Sequence, residues 1–151
     1  MLRSLLLTTF IWGDPMAYQW DSSLETGYEK VDKQHKQLVA SLNSIIDASR
    51  EGKGSAEIFK TLDFLTGYTI MHFSDEEKLM NKYNYPDYLV HKRYHDDFKV
   101  TVGDLTQRLI KEGPTGEMIN IVTTAIGEWL LNHIKGDDFR MAAFVKAKSG
   151  E

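Results

Sequence analysis

The chain lacks cysteine altogether and has only three prolines among its 151 residues. Without cysteine there can be no disulfide, thiolate zinc site, iron–sulfur cluster or covalently attached c-type haem. The lack of cysteine is compatible with the cytoplasm, where we expect the protein to reside. With 11 glycines and 42% hydrophobic residues, the composition excludes a collagen-like or low-complexity chain and suits one domain with one core.

Excess positive charge and long apolar runs are missing as well. The formal net charge of −4 argues against nucleic acid as a partner. No run approaches the roughly 18 apolar residues that span a bilayer, so we expect no membrane segment. Residues 1–15 contain a short leucine-rich stretch without a small-x-small cleavage site. We interpret 1–15 as an N-terminal extension (a tag, an upstream start or a weak signal-like segment) and 16–151 as the domain.

Apolar residues recur at alternating steps of three and four in four successive series, which begin at Val31, Ile58, Tyr88 and Ile119. Such spacing marks one face of an α-helix, and glycine or proline marks each stop. Four amphipathic helices with short connections predict an all-α protein, an antiparallel up-down-up-down four-helix bundle. We expect an irregular N-terminal arm to about Lys30, with Trp20 tucked against the bundle.

The core-facing seams of these helices carry polar residues. All five histidines and one glutamate lie on them: His35, His72, Glu76, His91, His95 and His133. One buried histidine is common, but a carboxylate is almost never fully buried without a partner. The seams contain no lysine or arginine to pair with it. A metal is the remaining way to bury so many lone pairs together.

Spacing supports a shared site for these six residues. His72 and Glu76 are four apart, as are His91 and His95, so each pair lies on one helix face. Counting residues from the predicted turns places all six in one slab of the bundle. A seventh ligand is suggested by Asp137 or Asp138. Spacing alone favours Asp137, because Asp138 could join only if the helix loosens near Gly136.

Five imidazoles and two carboxylates are too many ligands for one tetrahedral zinc. They suit two first-row metals bridged by the carboxylates. Two octahedral ions offer about twelve places, of which these side chains and one bridging solvent oxygen fill about eleven. The open place would suit a small apolar diatomic ligand. We expect it to be walled by Leu38, Phe73, Trp129 and Leu130.

The pattern resembles the hemerythrin family, and within it the bacteriohemerythrins. The family's ligands run His, HxxxE, HxxxH and HxxxxD, matched here by His35, His72–Glu76, His91–His95 and His133–Asp138. The opening motif from Trp20 to Lys36 is similar to the family's start. Tyr85-Pro86 and Trp129-Leu130 are similar too. The resemblance covers about 16–146.

The resemblance implies reversible O2 binding at a non-haem di-iron centre with a bridging oxo or hydroxo group. His91, His95 and His133 would bind the saturated iron, His35 and His72 the iron with the open place, and Glu76 and Asp138 would bridge. NO and small anions are further ligands. We expect a monomer that is no enzyme and that delivers O2 to an oxidase or oxygenase. The alternative is O2 or redox sensing, or NO-reducing or peroxide-consuming catalysis, at the same centre.

Many bacterial relatives have a tyrosine three residues after the bridging aspartate, where this chain has Met141, so a hydrogen-bonding or redox role there is in doubt. The acidic run Asp75–Glu77 is interpreted as a solvated face with Glu76 alone turned inward. A ferritin-like oxidase would need the Glu-x-x-His motif on two helices, and none falls on these seams. A haem held by two histidines would leave three histidines and Glu76 unexplained.

Overall fold

The computed structural model describes residues 17–150. Within them the chain forms no strand, and its long helices are α1 (Glu29–Arg50), α2 (Ser55–Lys82), α3 (Tyr88–Glu112) and α4 (Gly116–His133). A π-helical turn (Ile134–Asp138) connects α4 to α5 (Phe139–Ser149), and a 3-10 turn (Ser22–Leu24) precedes α1. The all-α prediction is confirmed. The interpretation of 1–15 falls outside the described residues.

The four long helices pack as a bundle. Helix α1 packs against α2 and α4, and α3 packs against the same two helices. Short connections at 51–54, 83–87 and 113–115 force each helix to run back along the one before it. The interior is filled by apolar side chains such as Leu42, Leu62 and Ile119, each at most 1% exposed. The predicted up-down-up-down bundle is confirmed.

The helix ends follow from local chemistry. Helix α2 ends just before Asn84, whose φ of 53° turns the chain toward Pro86. Helix α3 ends at Gly113, which adopts a φ of 85° that side chains with a Cβ avoid. Thr115 caps the start of helix α4, and its hydroxyl accepts a hydrogen bond from the Met118 backbone N–H at 3.2 Å.

An N-terminal arm crosses the bundle before α1. The Tyr18 backbone N–H donates to Asn43 Oδ1 at 2.8 Å, and Asn43 Nδ2 donates back to the Tyr18 carbonyl at 2.7 Å. The Tyr18 ring lies directly over Gly127 of α4. Trp20 packs against the core, with the Lys36 ammonium over its ring, so the predicted position of this side chain is confirmed. None of the helices in 17–150 combines the length and hydropathy needed to cross a bilayer.

Candidate metal centre

Seven polar side chains meet inside the bundle, contributed by all four long helices and the π turn. They are His35 from α1, His72 and Glu76 from α2, His91 and His95 from α3, His133 from α4 and Asp138 from the π turn. Each is 4% exposed or less. The four helices and the π turn therefore bring all seven residues of the sequence pattern into one buried cluster.

The cluster divides into two overlapping groups. In the first group, ligand atoms of His91, His95 and His133 lie within 4.8 Å of one another together with carboxylate oxygens of Glu76 and Asp138. In the second, the same separation relates His35 and His72 to these two carboxylates. We call them the three-histidine half and the two-histidine half. Both halves share the carboxylates and share no histidine.

The Glu76 carboxylate divides its two oxygens between the halves. Oε1 lies 2.9 Å from His72 Nε2 and 3.4 Å from His35 Nε2. Oε2 lies 3.1 Å from His95 Nε2 and 3.4 Å from His91 Nε2. A carboxylate in this position can bind one cation through each oxygen.

Asp138 is divided in the same way. Its Oδ2 lies 3.0 Å from His35 Nε2, in the two-histidine half. Its Oδ1 lies 3.1 Å from both His91 Nε2 and His133 Nε2, in the three-histidine half. Two buried carboxylates therefore lie across the same boundary, which is the arrangement that bridging ligands require.

The nitrogen and oxygen atoms of the cluster do not satisfy one another's hydrogen-bonding capacity. Both oxygens of Glu76 and Asp138, and the Nε2 atoms of His35 and His91, are buried without a hydrogen bond of acceptable geometry. The Nε2 atoms of His95 and His133 face each other at 3.2 Å. Buried polar atoms are normally hydrogen-bonded, so converging lone pairs left without partners fit cations placed between them.

The electrostatics of the cluster lead to the same conclusion. Burial lowers the pKa of His35, but the Asp138 and Glu76 carboxylates outweigh it and raise the pKa to about 9. The same balance, with Asp138 the strongest charge, raises the pKa of His133 to about 10. Burial raises the pKa of Glu76 and Asp138, and repulsion by Glu76 raises that of Asp138 further. The facing imidazoles outweigh these effects and hold both pKa values well below the usual range. The buried carboxylates thus stay ionised, and a positive charge beside them is needed to offset the cost of their burial.

The π turn decides which aspartate enters the cluster. A regular helix would bring the fourth residue after His133, Asp137, to the same face, whereas a π turn closes with the fifth. Gly136 lies within this turn, where loosening was expected. The structure accordingly places Asp138 in the cluster. The preference for Asp137 from spacing alone is wrong because it assumed an unbroken α-helix.

Asp137 instead lies at the outer edge of the His133 ring. Its Oδ2 is 3.0 Å from His133 Nδ1, and its other oxygen accepts a hydrogen bond from Arg140. Glu77 has the same relation to His95, with Oε1 3.1 Å from Nδ1. The interpretation of Glu77 as part of a solvated face is therefore wrong. Its position directly after Glu76 gave no signal of this contact, because the partner lies on another helix.

Gln34 supports a third histidine. Its Oε1 lies 2.7 Å from His72 Nδ1, and its Nε2 donates to Asp75 Oδ2 at 2.8 Å. Asp75 in turn pairs with Lys30 at 3.4 Å. Sequence reasoning missed Gln34, although it directly precedes His35 and is itself buried.

Apolar side chains enclose the cluster. The Phe73 ring stacks on His95 at 3.9 Å, and the Trp129 ring stacks on His133 at 4.4 Å, so both rings cover the three-histidine half. Leu38 and Leu130 are buried in the core, each three residues along its helix from a cluster histidine. That these four residues wall an open coordination place stays a prediction.

Met141 occupies the position at which many bacterial relatives have a tyrosine, and it is fully buried. It packs in a second apolar cluster with Val31, Met80, Tyr85 and Val145. Its side chain has no hydrogen to donate. The position therefore serves packing in this chain.

Comparison with known proteins agrees with this geometry. The sequence profile of the Hemerythrin HHE cation binding domain matches residues 26–145, a stretch that contains all seven cluster residues. A myohemerythrin from Theromyzon tessulatum is 36% identical over 83% of this chain and 92% of the relative. A bacteriohemerythrin from Stenotrophomonas maltophilia is 33% identical over 85% and 81%. A crystal structure of wild-type hemerythrin superposes with a TM-score of 0.76 at 31% identity, covering 86% of this chain and 98% of that one.

Proposed function

This chain belongs to the hemerythrin family, and from that premise we propose that it reversibly binds O2 at a carboxylate-bridged di-iron centre. The observation that carries the proposal is the division of two buried carboxylates between two groups of histidines. Imidazole and carboxylate together suit iron, and bridging carboxylates hold two such ions at a fixed separation. The names of the relatives, myohemerythrin and bacteriohemerythrin, support the same assignment.

The proposed ligands are the seven cluster residues. The three-histidine half would hold one iron through His91, His95 and His133, and the two-histidine half would hold the other through His35 and His72. Glu76 and Asp138 would bind both, one oxygen to each. With one fewer imidazole, the two-histidine half is where a small ligand would find space.

When bound, the two irons supply the open place and the electrons with which O2 is held. The protein contributes the rest through side chains of known position. Nδ1 contacts with Gln34, Glu77 and Asp137 orient three of the imidazoles so that Nε2 faces inward. Phe73 and Leu38, each 1% exposed, exclude bulk water from the cluster.

A surface cavity lies close to the two-histidine half. A cavity of about 270 Å³ opens between α1 and α2 and is lined by Gln34, Asp75 and Glu76, with Lys78 and Lys82 among the outer residues. Gln34 contacts His72, so the floor of the cavity lies beside the half with fewer histidines. A diatomic molecule is far smaller than this volume.

The chemistry around the cluster supports binding over turnover. On the four long helices, the buried hydroxyl and amide side chains outside the seven are Gln34, Ser41, Thr69 and Thr123. The three hydroxyls donate to backbone carbonyls of their own helices, and the Gln34 amide donates to Asp75. None of these four side chains on the long helices is thus free to deliver a proton to a bound ligand, as turnover of peroxide or NO would require.

Metal analysis combined with visible spectroscopy of the purified protein tests the proposal. We expect two irons per chain and an absorption band that appears on aeration and disappears when O2 is removed. A protein that never retains iron would overturn the proposal. Steady consumption of NO or peroxide with a reductant would favour the enzymatic alternative instead, and a spectrum that follows redox poise without reversible oxygenation would favour a sensor.

The remaining expectations are predictions of the sequence. They are a cytoplasmic monomer, NO and small anions as competing ligands, and delivery of O2 to an oxidase or oxygenase. Gel filtration tests whether the protein is a monomer. Displacement of the oxygenated spectrum by NO or a small anion tests whether these are competing ligands.

A further inference from the structure

The two halves of the cluster differ in what stands behind their histidines. In the three-histidine half, the Nδ1 atoms of His95 and His133 face carboxylates, those of Glu77 and Asp137. In the two-histidine half, His72 Nδ1 faces the amide of Gln34. The Nδ1 atom of His35 is buried without any hydrogen-bond partner.

The direction of the Gln34 contact is fixed by Asp75. An ionised carboxylate can only accept hydrogen bonds, so the Gln34 Nε2 must point to Asp75 and Oε1 must point to His72. The Lys30 ammonium lies 3.4 Å from the same Asp75 oxygen and favours the carboxylate form. His72 therefore donates its Nδ1 hydrogen to a neutral oxygen.

A carboxylate that accepts the Nδ1 hydrogen of an imidazole increases electron donation from Nε2 more than a neutral amide does. It draws the Nδ1 proton more strongly, which makes Nε2 a better electron donor and favours the more positive ion. Glu76 and Asp138 give one oxygen to each half and so do not distinguish them. The difference must come from the outer residues and from the unequal number of histidines.

We infer that Glu77 and Asp137 make the three-histidine half the more easily oxidised half of the centre, while Gln34 keeps the two-histidine half reduced and able to accept a ligand. The inference rests on the proposed di-iron function. It assigns Gln34, Glu77 and Asp137 as positioning residues that also set the two potentials. The step concerned is the transfer of one electron to an outer-sphere one-electron oxidant, in which no bond is formed or broken.

Of the two outer carboxylates, Glu77 has the stronger effect on the potential of the three-histidine half. Asp137 shares its charge with the Arg140 guanidinium. Glu77 forms no ion pair with a lysine or arginine of residues 17–150, and its side chain is 18% exposed. Lys92 is near enough to interact with this charge, but no cation in this part of the chain pairs with Glu77 as Arg140 pairs with Asp137, so more of the charge acts on His95.

A redox titration of the iron-loaded protein, followed by its visible spectrum, tests the inference. The first potential belongs to the three-histidine half and the second to the two-histidine half. We expect Glu77→Gln to raise the first potential. A tenfold change in the relative affinity for the oxidised and reduced ion corresponds to about 59 mV for one electron. The matched control is Asp97→Asn, which removes the same charge from an exposed side chain that pairs with Arg93.

The complementary variant moves a carboxylate without changing net charge. In the double variant Gln34→Glu with Asp75→Asn, the carboxylate comes to face His72 and the new amide can donate to it. We expect the second potential to fall and the gap between the potentials to narrow. Asp75→Asn alone is the control for the altered surface charge.

Iron content separates the two possible failures. If the unmodified protein does not bind two irons, the proposed function fails. If every variant binds two irons and the potentials stay within the range of the controls, or move in the opposite direction, the inference is wrong and the outer residues are merely structural. Glu77→Gln alone decides the question if the double variant does not fold.

Discussion

The imidazole of His133 has a carboxylate at each edge of its ring. Asp138 lies 3.1 Å from Nε2 on the inner edge, and Asp137 lies 3.0 Å from Nδ1 on the outer edge. Although the two aspartates are adjacent in sequence, one is fully buried and the other partly exposed. The two carboxylates therefore have different tasks, and substitution distinguishes them.

Replacing each aspartate by asparagine should give opposite results for metal content. Asp138→Asn removes the negative charge that both halves share and replaces one oxygen by an NH2 group that cannot bind a metal, so we expect it to lower iron to well below two per chain. Asp137→Asn leaves all seven cluster residues in place and should retain two irons, with affinity lowered by about tenfold to a hundredfold at most. Iron per chain measured after desalting checks both. Loss of iron from Asp137→Asn with retention by Asp138→Asn would contradict the bridge assignment.

His72→Ala tests the two-histidine half separately. The substitution removes one of its two imidazoles but leaves the three-histidine half intact, so we expect iron content to fall towards one per chain. O2 binding should be abolished, because the half with the open place is the one affected. Metal analysis and the visible spectrum on aeration measure the two effects. Asp97→Asn, on the exposed face of α3, is the matched control, and an unchanged oxygenated spectrum in His72→Ala would refute the assignment.

The sequence predicted the inward residues better than the outer ones. All five histidines and Glu76 interrupt apolar seams, and a polar residue on such a seam is a strong signal. Glu77 carries no such signal, because it lies about 100° round the helix from Glu76 and contacts an imidazole of another helix. Contacts between helices depend on relative rotation and distance, which one helix's periodicity does not contain.

At the scale of elements, the arm before α1 can pack against α4 because Gly127 has no side chain and leaves room for the Tyr18 ring. A Cβ on Gly127 would come within 2.2 Å of the Tyr18 ring, whose hydroxyl donates to the Thr123 carbonyl at 3.3 Å. The sequence predicted that the arm would be irregular and that Trp20 would pack inward. The dependence of the arm's position on Gly127 could not be predicted, because a glycine within a helix pattern indicates only lower helix stability.

Gly127→Ala should therefore displace the arm. We expect a loss of about 1–3 kcal/mol in the free energy of unfolding, from the overlap with Tyr18. The matched control is Gly103→Ala, in an exposed helical position with nothing within 4 Å of the added Cβ. That variant should gain up to about 1 kcal/mol, because alanine is the better helix former. Thermal or urea unfolding measures both, and equal effects of the two substitutions would show that the arm contact contributes nothing.

For the whole molecule, the cluster puts two ionised carboxylates at the centre of the core. The two carboxylates raise the pKa values of His35 and His133, so without cations protons on these imidazoles can balance the charge. Binding of metal ions to the folded state alone adds stability by mass action. Metal and fold should therefore depend on each other.

Removing the metal should lower the melting temperature. At a free metal concentration about a thousand times Kd, the stabilisation is roughly 4 kcal/mol, which for a chain of this size corresponds to a Tm shift of roughly 10 °C. Thermal unfolding followed by circular dichroism before and after chelation measures the shift. Asp138→Asn should lose little further stability on chelation. A chain that is fully helical and equally heat-resistant after chelation, with no metal ever recovered, would remove the basis for an oxygen-binding role.

The π turn has a further consequence for the end of the chain. After Asp138, the buried residues are Met141, Ala142 and Val145. An unbroken helix from His133 would instead turn Asp137, Arg140 and Phe144 inward, because each residue advances the helix by about 100°. The turn thus sets the rotational phase of α5 as well as the position of one carboxylate.

In effect, the turn accommodates one inserted residue in an otherwise regular helix. Deleting Gly136 would let a regular helix bring Asp138 to the fourth position after His133 and leave the buried face of α5 in phase. The chain would then lose the separate carboxylate at the outer ring edge. A second insertion could not be absorbed in this way and would rotate α5 by about 100°, turning its apolar face to water. The number of residues between His133 and Asp138 should therefore vary less freely among functional variants than the identity of the side chains at 134–136.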